Sequence, residues 1–456
     1  MIEGLKAYPT YQDSRWTAFG AIPSHWRVKR LRNVAELLVS NVDKHTKPGE
    51  LPVRLCNYVD VYKNERILER LAFMRATATR EETERFRLRI GDVLITKDSE
   101  DWKDIAVPAL VAFEAPDLVC GYHLAILRAR RELMVGPYLH RAIESPSVAV
   151  QFQIRANGVT RYGLSQGAIK GVVVPVPPLD EQLTIARFLD HATRRIDAYI
   201  RAKRKLIALL NEQKQAIIHR AVTRGLDPNV KMKDSGVPWL GEVPEHWGLM
   251  RLKALADIRT GGRDTVDRKD DGAYPFFVRS QRVERIDTYS FDGEAVLTAG
   301  DGAGVAKVFH YVNGKFDYHQ RVYKVSDFKE VKGRFFFRYF SATLRFEAFR
   351  ETAKSTVDSL RLPMLQNFPV VVPPLAEQGA IVDGIEAETA TVDVAISRTE
   401  REIELLREYR TRLIADVVTG QLDVREAAKS LPDDLPEETD LDDDSDTLDE
   451  EDSDDE

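Results

Sequence analysis

The sequence predicts an α+β protein: two compact mixed domains joined by two long helices that pair as an antiparallel coiled coil, the whole organised as an internal pseudo-two-fold duplication. Three observations predict it. A Pro-x-His-Trp segment occurs twice, a Pro-Pro-Leu-x-Glu-Gln segment occurs twice, and each Pro-Pro copy opens a long stretch with apolar residues at helical spacing.

The first repeat pairs Pro23-Ser24-His25-Trp26 with Pro244-Glu245-His246-Trp247, followed by Arg30-Leu31 and Arg251-Leu252. Upstream, Tyr11-Gln12-Asp13-Ser14 and Lys233-Asp234-Ser235-Gly236 extend the match loosely. The second repeat pairs Val176-Pro177-Pro178-Leu179-Asp180-Glu181-Gln182 with Val372-Pro373-Pro374-Leu375-Ala376-Glu377-Gln378, an offset of 196 that holds without a gap as far as Leu226-Asp227 and Leu422-Asp423. Packed helices resist insertions that loops tolerate, so the unbroken register predicts a rigid element.

Past each Pro-Pro, Glu and Gln in the first turn suit a helix start, and capping is their expected role. The first helix carries a seam of Leu189, Ile196, Ile200, Ile207, Leu210 and Ile217, and the second repeats it with Ile385, Val392, Ile396, Ile403, Leu406 and Leu413. Both rows turn polar at the same two levels, Lys203 with Thr399 and Lys214 with Arg410, which reads as a register device. An amphipathic helix of about 40 residues, about 60 Å long, cannot stand alone with its stripe exposed. Pairing is the favoured reading, and separate packing of each helix on its own domain is the alternative.

These repeats divide the chain into an N-terminal segment (1–26), a first variable domain (27–175), a first helical spacer (176–230), a linker (231–247), a second variable domain (248–371), a second helical spacer (372–424) and an acidic disordered tail (425–456). The variable domains scarcely resemble each other. Each mixes β-type runs such as Asp92-Val93-Leu94-Ile95-Thr96 and Arg321-Val322-Tyr323-Lys324-Val325 with helical stretches at 138–152 and 331–350. Trp26 and Trp247 are expected to anchor the start of each against the helices.

With 456 residues, 43% of them hydrophobic, the chain can bury several cores. It contains no signal-peptide pattern and no apolar run near the roughly 20 residues of a membrane-spanning helix, so a cytoplasmic protein is expected. Cys56 and Cys120 lack metal-ligand spacing and read as buried free thiols. The formal charge of -7 hides a basic body: residues 431–456 hold 16 Asp and Glu and no Lys or Arg, leaving a charge of +9 for residues 1–430. A basic body suits a polyanionic partner. The tail reads as a solvated run of like charge, with shielding of a basic groove as the alternative.

Variable domain, Pro-Pro-Leu-x-Glu-Gln helix, Lys233-Asp234-Ser235-Gly236-Val237-Pro238-Trp239-Leu240-Gly241-Glu242-Val243-Pro244-Glu245-His246-Trp247, variable domain and second Pro-Pro-Leu-x-Glu-Gln helix follow one another in an order that resembles the specificity subunit of type I restriction-modification systems. The resemblance covers residues 11–424. It implies that the variable segments are target-recognition domains, each reading half of a split, asymmetric sequence in double-stranded DNA. The paired helices then act as spacer and as docking surface for two methyltransferase subunits, with restriction/translocase subunits as further partners. Readers that both face major grooves on one side of a duplex sit near whole turns, about 10 bp apart, so helix length would set the unread gap.

In the second variable domain, Arg279, Ser280, Gln281 and Arg282 offer groups suited to guanine and adenine edges. Gly300-Asp301-Gly302-Ala303-Gly304 lacks the spacing of a phosphate loop and reads as a turn bringing backbone close to DNA, with Lys307 on phosphate. His319, Gln320 and Arg321 form a second polar cluster, whose competing reading is a strand's exposed face. In the first domain, Lys97, Ser99 and Trp102 follow a strand, and Tyr122 and His123 open another, His123 reading more readily as a structural histidine. An aligned polar turn precedes each Pro-Pro motif, Thr160-Arg161-Tyr162-Gly163-Leu164-Ser165 and Thr356-Val357-Asp358-Ser359-Leu360-Arg361. Arg161, Tyr162, Ser359 and Arg361 are candidate grips on DNA there, against a loop that merely connects.

No Asn-Pro-Pro or Asp-Pro-Pro aromatic methylation motif, nuclease carboxylate cluster or helicase phosphate loop occurs, and no histidines pair at metal spacing. The chain is therefore expected to be non-catalytic and to bind no metal or cofactor, with S-adenosylmethionine, ATP and Mg on partner subunits. A coiled-coil scaffold with two protein-binding domains, or an orphan specificity chain without partners, are the competing readings.

Overall fold

The computed structural model describes residues 5–348 and 359–432. The chain folds as two units, Met1–Arg201 with Ile403–Glu456 and Ala202–Glu402. Each takes one end of both long helices, the 46-residue Leu179–Arg224 and the 44-residue Leu375–Val418.

In the first unit, hairpin Tyr11–Asp13 with Ala21–Pro23 precedes strand Arg27–Arg30, which pairs with Val173–Val176 just ahead of the helix. Between them lies a five-stranded sheet in the order Ala35–Val39, Leu124–Ala129, Val93–Thr96, Pro108–Val111, Arg66–Ile67, and a three-stranded sheet in which Leu51–Cys56 is central. Val93–Thr96, apolar but for its final threonine, is buried along its whole length, as a central strand must be. Cys56 and Cys120 are buried free thiols on adjacent parallel strands.

The second unit repeats this plan. Hairpin Met232–Asp234 with Glu242–Pro244 lies inside the segment read as a linker, and Gly248–Arg251 pairs with Pro369–Val372. Its six-stranded sheet runs Asp257–Thr260, Val322–Ser326, Phe291–Ala299, Phe309–Tyr318, Tyr274–Phe277, Val283–Ile286. The first four strands match the first four of the other sheet in order and are antiparallel in both. Where the first unit breaks its chain into Pro108–Val111 and Leu118–Cys120, the second has one ten-residue strand, so its two sheets merge. The variable domains, dissimilar in sequence, are thus one fold.

Capping is not what the repeated Glu and Gln do. The Glu181 carboxylate, 4% exposed, accepts from Trp26 Nε1 at 3.1 Å, His25 Nε2 at 2.8 Å and the Tyr8 hydroxyl at 2.5 Å. Glu377 accepts from Trp247 Nε1 at 3.0 Å and His246 Nε2 at 2.8 Å. Gln182 accepts from Val135 N at 3.0 Å and donates to Leu133 O at 2.9 Å; Gln378 accepts from Lys332 N at 2.7 Å and donates to Glu330 O at 2.9 Å. The Pro-x-His-Trp and Pro-Pro-Leu-x-Glu-Gln repeats are two halves of one clasp. Pro373 and Pro374 free the helix start of competing backbone donors, and the side chains reach across to the domain.

The seam exists. Leu189, Ile196, Ile200, Ile385, Val392, Ile403 and Leu413 are buried; Ile207, Leu210, Ile217, Ile396 and Leu406 are half-buried, as two helices alone cover only part of a side chain. At the C-terminal end of the first helix burial moves from Ile217 to Ile218, the drift of a 3.6-residue helix against a seven-residue repeat. In the second unit Lys203 pairs with Glu402, Lys214 with Asp393 at 2.5 Å and Arg220 with Glu388 at 3.0 Å; in the first, Arg410 lies 3.4 Å from Asp197. Partner numbers fall on one helix as they rise on the other, so the pairing is antiparallel.

Of the polar seam residues, Lys203 and Lys214 pair across the helices as a register device would, whereas Thr399 and Arg410 do not. Thr399 turns back to its own helix at Ala395 O, 2.7 Å away. Arg410 leaves the seam for Glu65 and Glu144 of the first variable domain, joining Arg141, which is 2% exposed and bonds Glu144 at 2.6 Å and Asp190 at 2.8 Å. Residues 425–456 are not a tail throughout: Arg425–Lys429 is a short helix with Ala428 buried, held because Val424 sinks into the unit. The remaining acidic stretch, from 433, lies outside the described residues.

Two outcomes are expected. Glu181→Ala strands two buried donors and should destabilise the first unit by about 3 kcal/mol in urea denaturation, against about 1 kcal/mol for the more exposed Glu377→Ala. Burial pushes the Glu144 carboxyl up, but Arg141 and Arg410 outweigh it and hold it well below the ordinary 4.5. Its contribution is present above that pH and is lost as pH falls below it. Arg410→Met should cost about 3 kcal/mol at pH 7 and move acid unfolding, followed by circular dichroism, to higher pH.

Candidate nucleic-acid interface

Strand Val93–Thr96 runs into Lys97-Asp98 and a single turn Trp102–Asp104; strand Phe291–Ala299 runs into Gly300-Asp301 and a single turn Gly302–Gly304. The two loops are the same structure. Lys97 O accepts from Leu164 N at 2.9 Å and Gly300 O from Leu360 N at 2.7 Å, leucines separated by the 196 residues of the Pro-Pro repeat. Lys97 N donates to His123 O at 3.0 Å, and Gly300 N to Arg321 O at 2.7 Å. Asp98 pairs by backbone with Gly163, Asp301 with Ser359. Each loop leaves through an alanine at positive φ, Ala106 at 61° and Ala306 at 56° being the equivalent residues.

In the first domain this geometry gathers residues from three segments. Asp98 Oδ2 accepts from Lys97 Nζ at 2.6 Å and His123 Nδ1 at 3.0 Å. Arg161 Nη2 lies against the His123 ring, 3.3 Å from Nε2 and 3.4 Å from Nδ1, and the Tyr122 and His123 rings lie 3.7 Å apart. Tyr162, half-buried, pairs by backbone with Ser99. Burial pushes the Asp98 carboxyl up, but the hydrogen bonds from Lys97 and His123 prevail and hold it below its usual value. Trp102 is exposed, with Lys103 Nζ 5.7 Å from its ring centre. Ser99 is 5% exposed, buried by its strand pairing, and does not offer its side chain to a ligand.

In the second domain Asp301 Oδ1 lies 3.4 Å from Arg279 Nη1, and Asp301 Oδ2 pairs with Arg321 Nη1. Gln281 donates to Lys307 O at 3.0 Å, Ser280 Oγ to Arg282 O at 3.2 Å, and Arg282 is largely exposed 3.6 Å from Glu284. Arg361 and Ser359 are exposed; Thr356, Val357 and Asp358 of that turn lie outside the described residues. His319 does not face a ligand as expected: it is 3% exposed, its Nδ1 accepts from Arg321 N at 3.0 Å, and burial lowers its pKa, so it shapes the turn. Gln320 bonds Asp264. The glycines of the loop serve an internal approach, since a Cβ on Gly304 would meet Arg279 O at 2.4 Å.

Sequence reasoning missed Asp98 and Asp301, the carboxylates about which the other candidates gather. A signal was present: Val93-Leu94 and Val296-Leu297 each precede the aspartate at the same spacing. Among the described residues no group of His, Cys, Asp and Glu is arranged to hold a metal, and no helix is long and apolar enough to cross a membrane.

Residues 244–405 match the family model of the Type I restriction modification DNA specificity domain. The type I restriction enzyme EcoDI specificity subunit of Escherichia coli is 27% identical over 182 residues, 40% of this chain and 40% of that one, so the match spans less than half of that relative. This chain is similar in sequence to type I specificity subunits. The putative MjaX specificity subunit of Methanocaldococcus jannaschii is 20% identical over 440 residues, 90% of this chain and 96% of that. A chain solved in work on complex assembly and conformational transition of the type I R-M system shares the fold, with a TM-score of 0.63 at 18% identity over 88% of this chain and 99% of that. The similarity to specificity subunits thus runs along most of the chain, while the family model matches residues 244–405.

Proposed function

We propose that this chain is the non-catalytic DNA-recognition subunit of a type I restriction-modification complex in the cytoplasm. Its two variable domains each read one half of a split, asymmetric sequence in double-stranded DNA. Two methyltransferase subunits and the restriction/translocase subunits are directed to that sequence by this chain, and S-adenosylmethionine, ATP and Mg act on those partners. The observation that carries the reading is the equivalent loop in both domains, around which nitrogen-bearing side chains from separate segments collect: Lys97, His123 and Arg161 in one, Arg279 and Arg321 in the other. Guanidinium groups suit both phosphate and guanine edges, and a matched pair of such sites suits two half-sites. Kinship with specificity subunits supports the same reading.

Footprinting of the full chain with its methyltransferase partner should reveal protection of one bipartite sequence; a scaffold joining two protein-binding domains would give no sequence-specific protection. Arg161→Ala should weaken binding and lower the slope of log affinity against log salt by about 1. An unchanged slope would remove Arg161 from the phosphate contacts.

A further inference from the structure

Asp98 and Asp301 occupy one position in the duplicated fold, reached by the same backbone hydrogen bonds, yet the side chains around them differ. Anionic residues in a surface built to meet DNA repel phosphate, so a carboxylate kept at this place in both domains needs a reason. Its geometry supplies one. Asp301 bridges two guanidinium groups, one on each oxygen, while Arg321 remains 60% exposed and Arg279 35% exposed. A guanidinium has five donors in a rigid fork, so Arg321, tethered to Asp301 at one nitrogen and largely exposed, can still present donors to a ligand. Asp98 receives Nδ1 of His123 and so fixes the imidazole, against which Arg161 Nη2 lies 3.3 Å from Nε2 and 3.4 Å from Nδ1. The chain Asp98, His123, Arg161 orients a guanidinium through one intermediary, and the direct pairing at Asp301 orients two. Residues His123 and Arg321 are themselves equivalent, each accepting through its carbonyl a hydrogen bond from a loop amide.

We propose that Asp98 and Asp301 are the specificity-determining positioning residues of the two half-sites, holding cationic side chains in the orientation that reads a base edge. The proposal rests on the DNA-recognition reading above. At Asp301, the tethered and exposed guanidinium of Arg321 points to guanine as the base read, through O6 and N7 in the major groove.

The test uses the full chain co-purified with its methyltransferase partner, binding duplex libraries in which the half-sites are randomised in turn. Asp301→Asn keeps the shape and removes the charge. It should relax discrimination about tenfold at one G·C pair of one half-site, leave the other half-site unchanged, and leave affinity for non-specific duplex equal or higher because a negative charge is gone. Asp98→Asn should relax only the other half-site. Melting temperatures close to that of the unsubstituted chain exclude general unfolding, and Asp301→Glu, which keeps the charge, should retain more discrimination than Asp301→Asn. Unchanged discrimination in both Asn variants overturns the positioning role, as does a parallel fall of specific and non-specific affinity, the mark of a structural role. If the unsubstituted complex shows no sequence preference, the DNA-recognition reading itself fails and the proposal with it.

Discussion

Glu181 and Glu377 hold each variable domain to a long helix through the indole and imidazole of a Pro-x-His-Trp segment, and most of the architecture depends on that clasp. A carboxylate at this depth is stable only when its lone pairs are filled, and in the first unit Tyr8 adds a third donor. Burial and that hydrogen bond push the Tyr8 hydroxyl up, so it stays a donor. The second unit has no such tyrosine on Glu377 among its described contacts, and its carboxylate stays 31% exposed. Because the clasp fixes both ends of a variable domain at one helix start, the sequence between can change freely while the loop carrying Asp98 or Asp301 returns to the same place. Gln182 and Gln378 reinforce this by tying the backbone ahead of the domain's helices to the same turn.

The helix pair answers to a second constraint. An apolar stripe alone would allow either helix direction and several registers, but Lys203 with Glu402, Lys214 with Asp393 and Arg220 with Glu388 favour one. These exposed or half-exposed pairs each contribute little to stability and act chiefly through the misfit they impose on other registers. Arg410 behaves differently: within the first unit it meets Glu65, Glu144 and Asp197, so one seam residue ties its helix to the variable domain.

The duplication, the helices and their seam were legible in the sequence because heptad spacing and ungapped repeats survive in local pattern. What the repeats were for was not. Glu181 and Gln182 look like first-turn residues, and only the fold brings Trp26, His25 and Val135 to them. The likeness of the variable domains was hidden for a related reason: strand order and backbone hydrogen bonds are shared, while side chains, and the split of one ten-residue strand into two, are not. At the candidate interface the cationic residues were visible by type, but Asp98 and Asp301 are ordinary loop residues until the chain closes around them. His319 and Ser99 show the opposite error, polar letters taken for exposed groups that strand pairing and turn geometry bury.

The central claim is that two copies of one recognition fold give this chain an address of two parts. Single-molecule mapping of N6-methyladenine in DNA from cells with and without the gene tests it most directly. The account predicts that one split, asymmetric motif with a fixed gap loses its methylation when the gene is removed; an unchanged methylation pattern would contradict it.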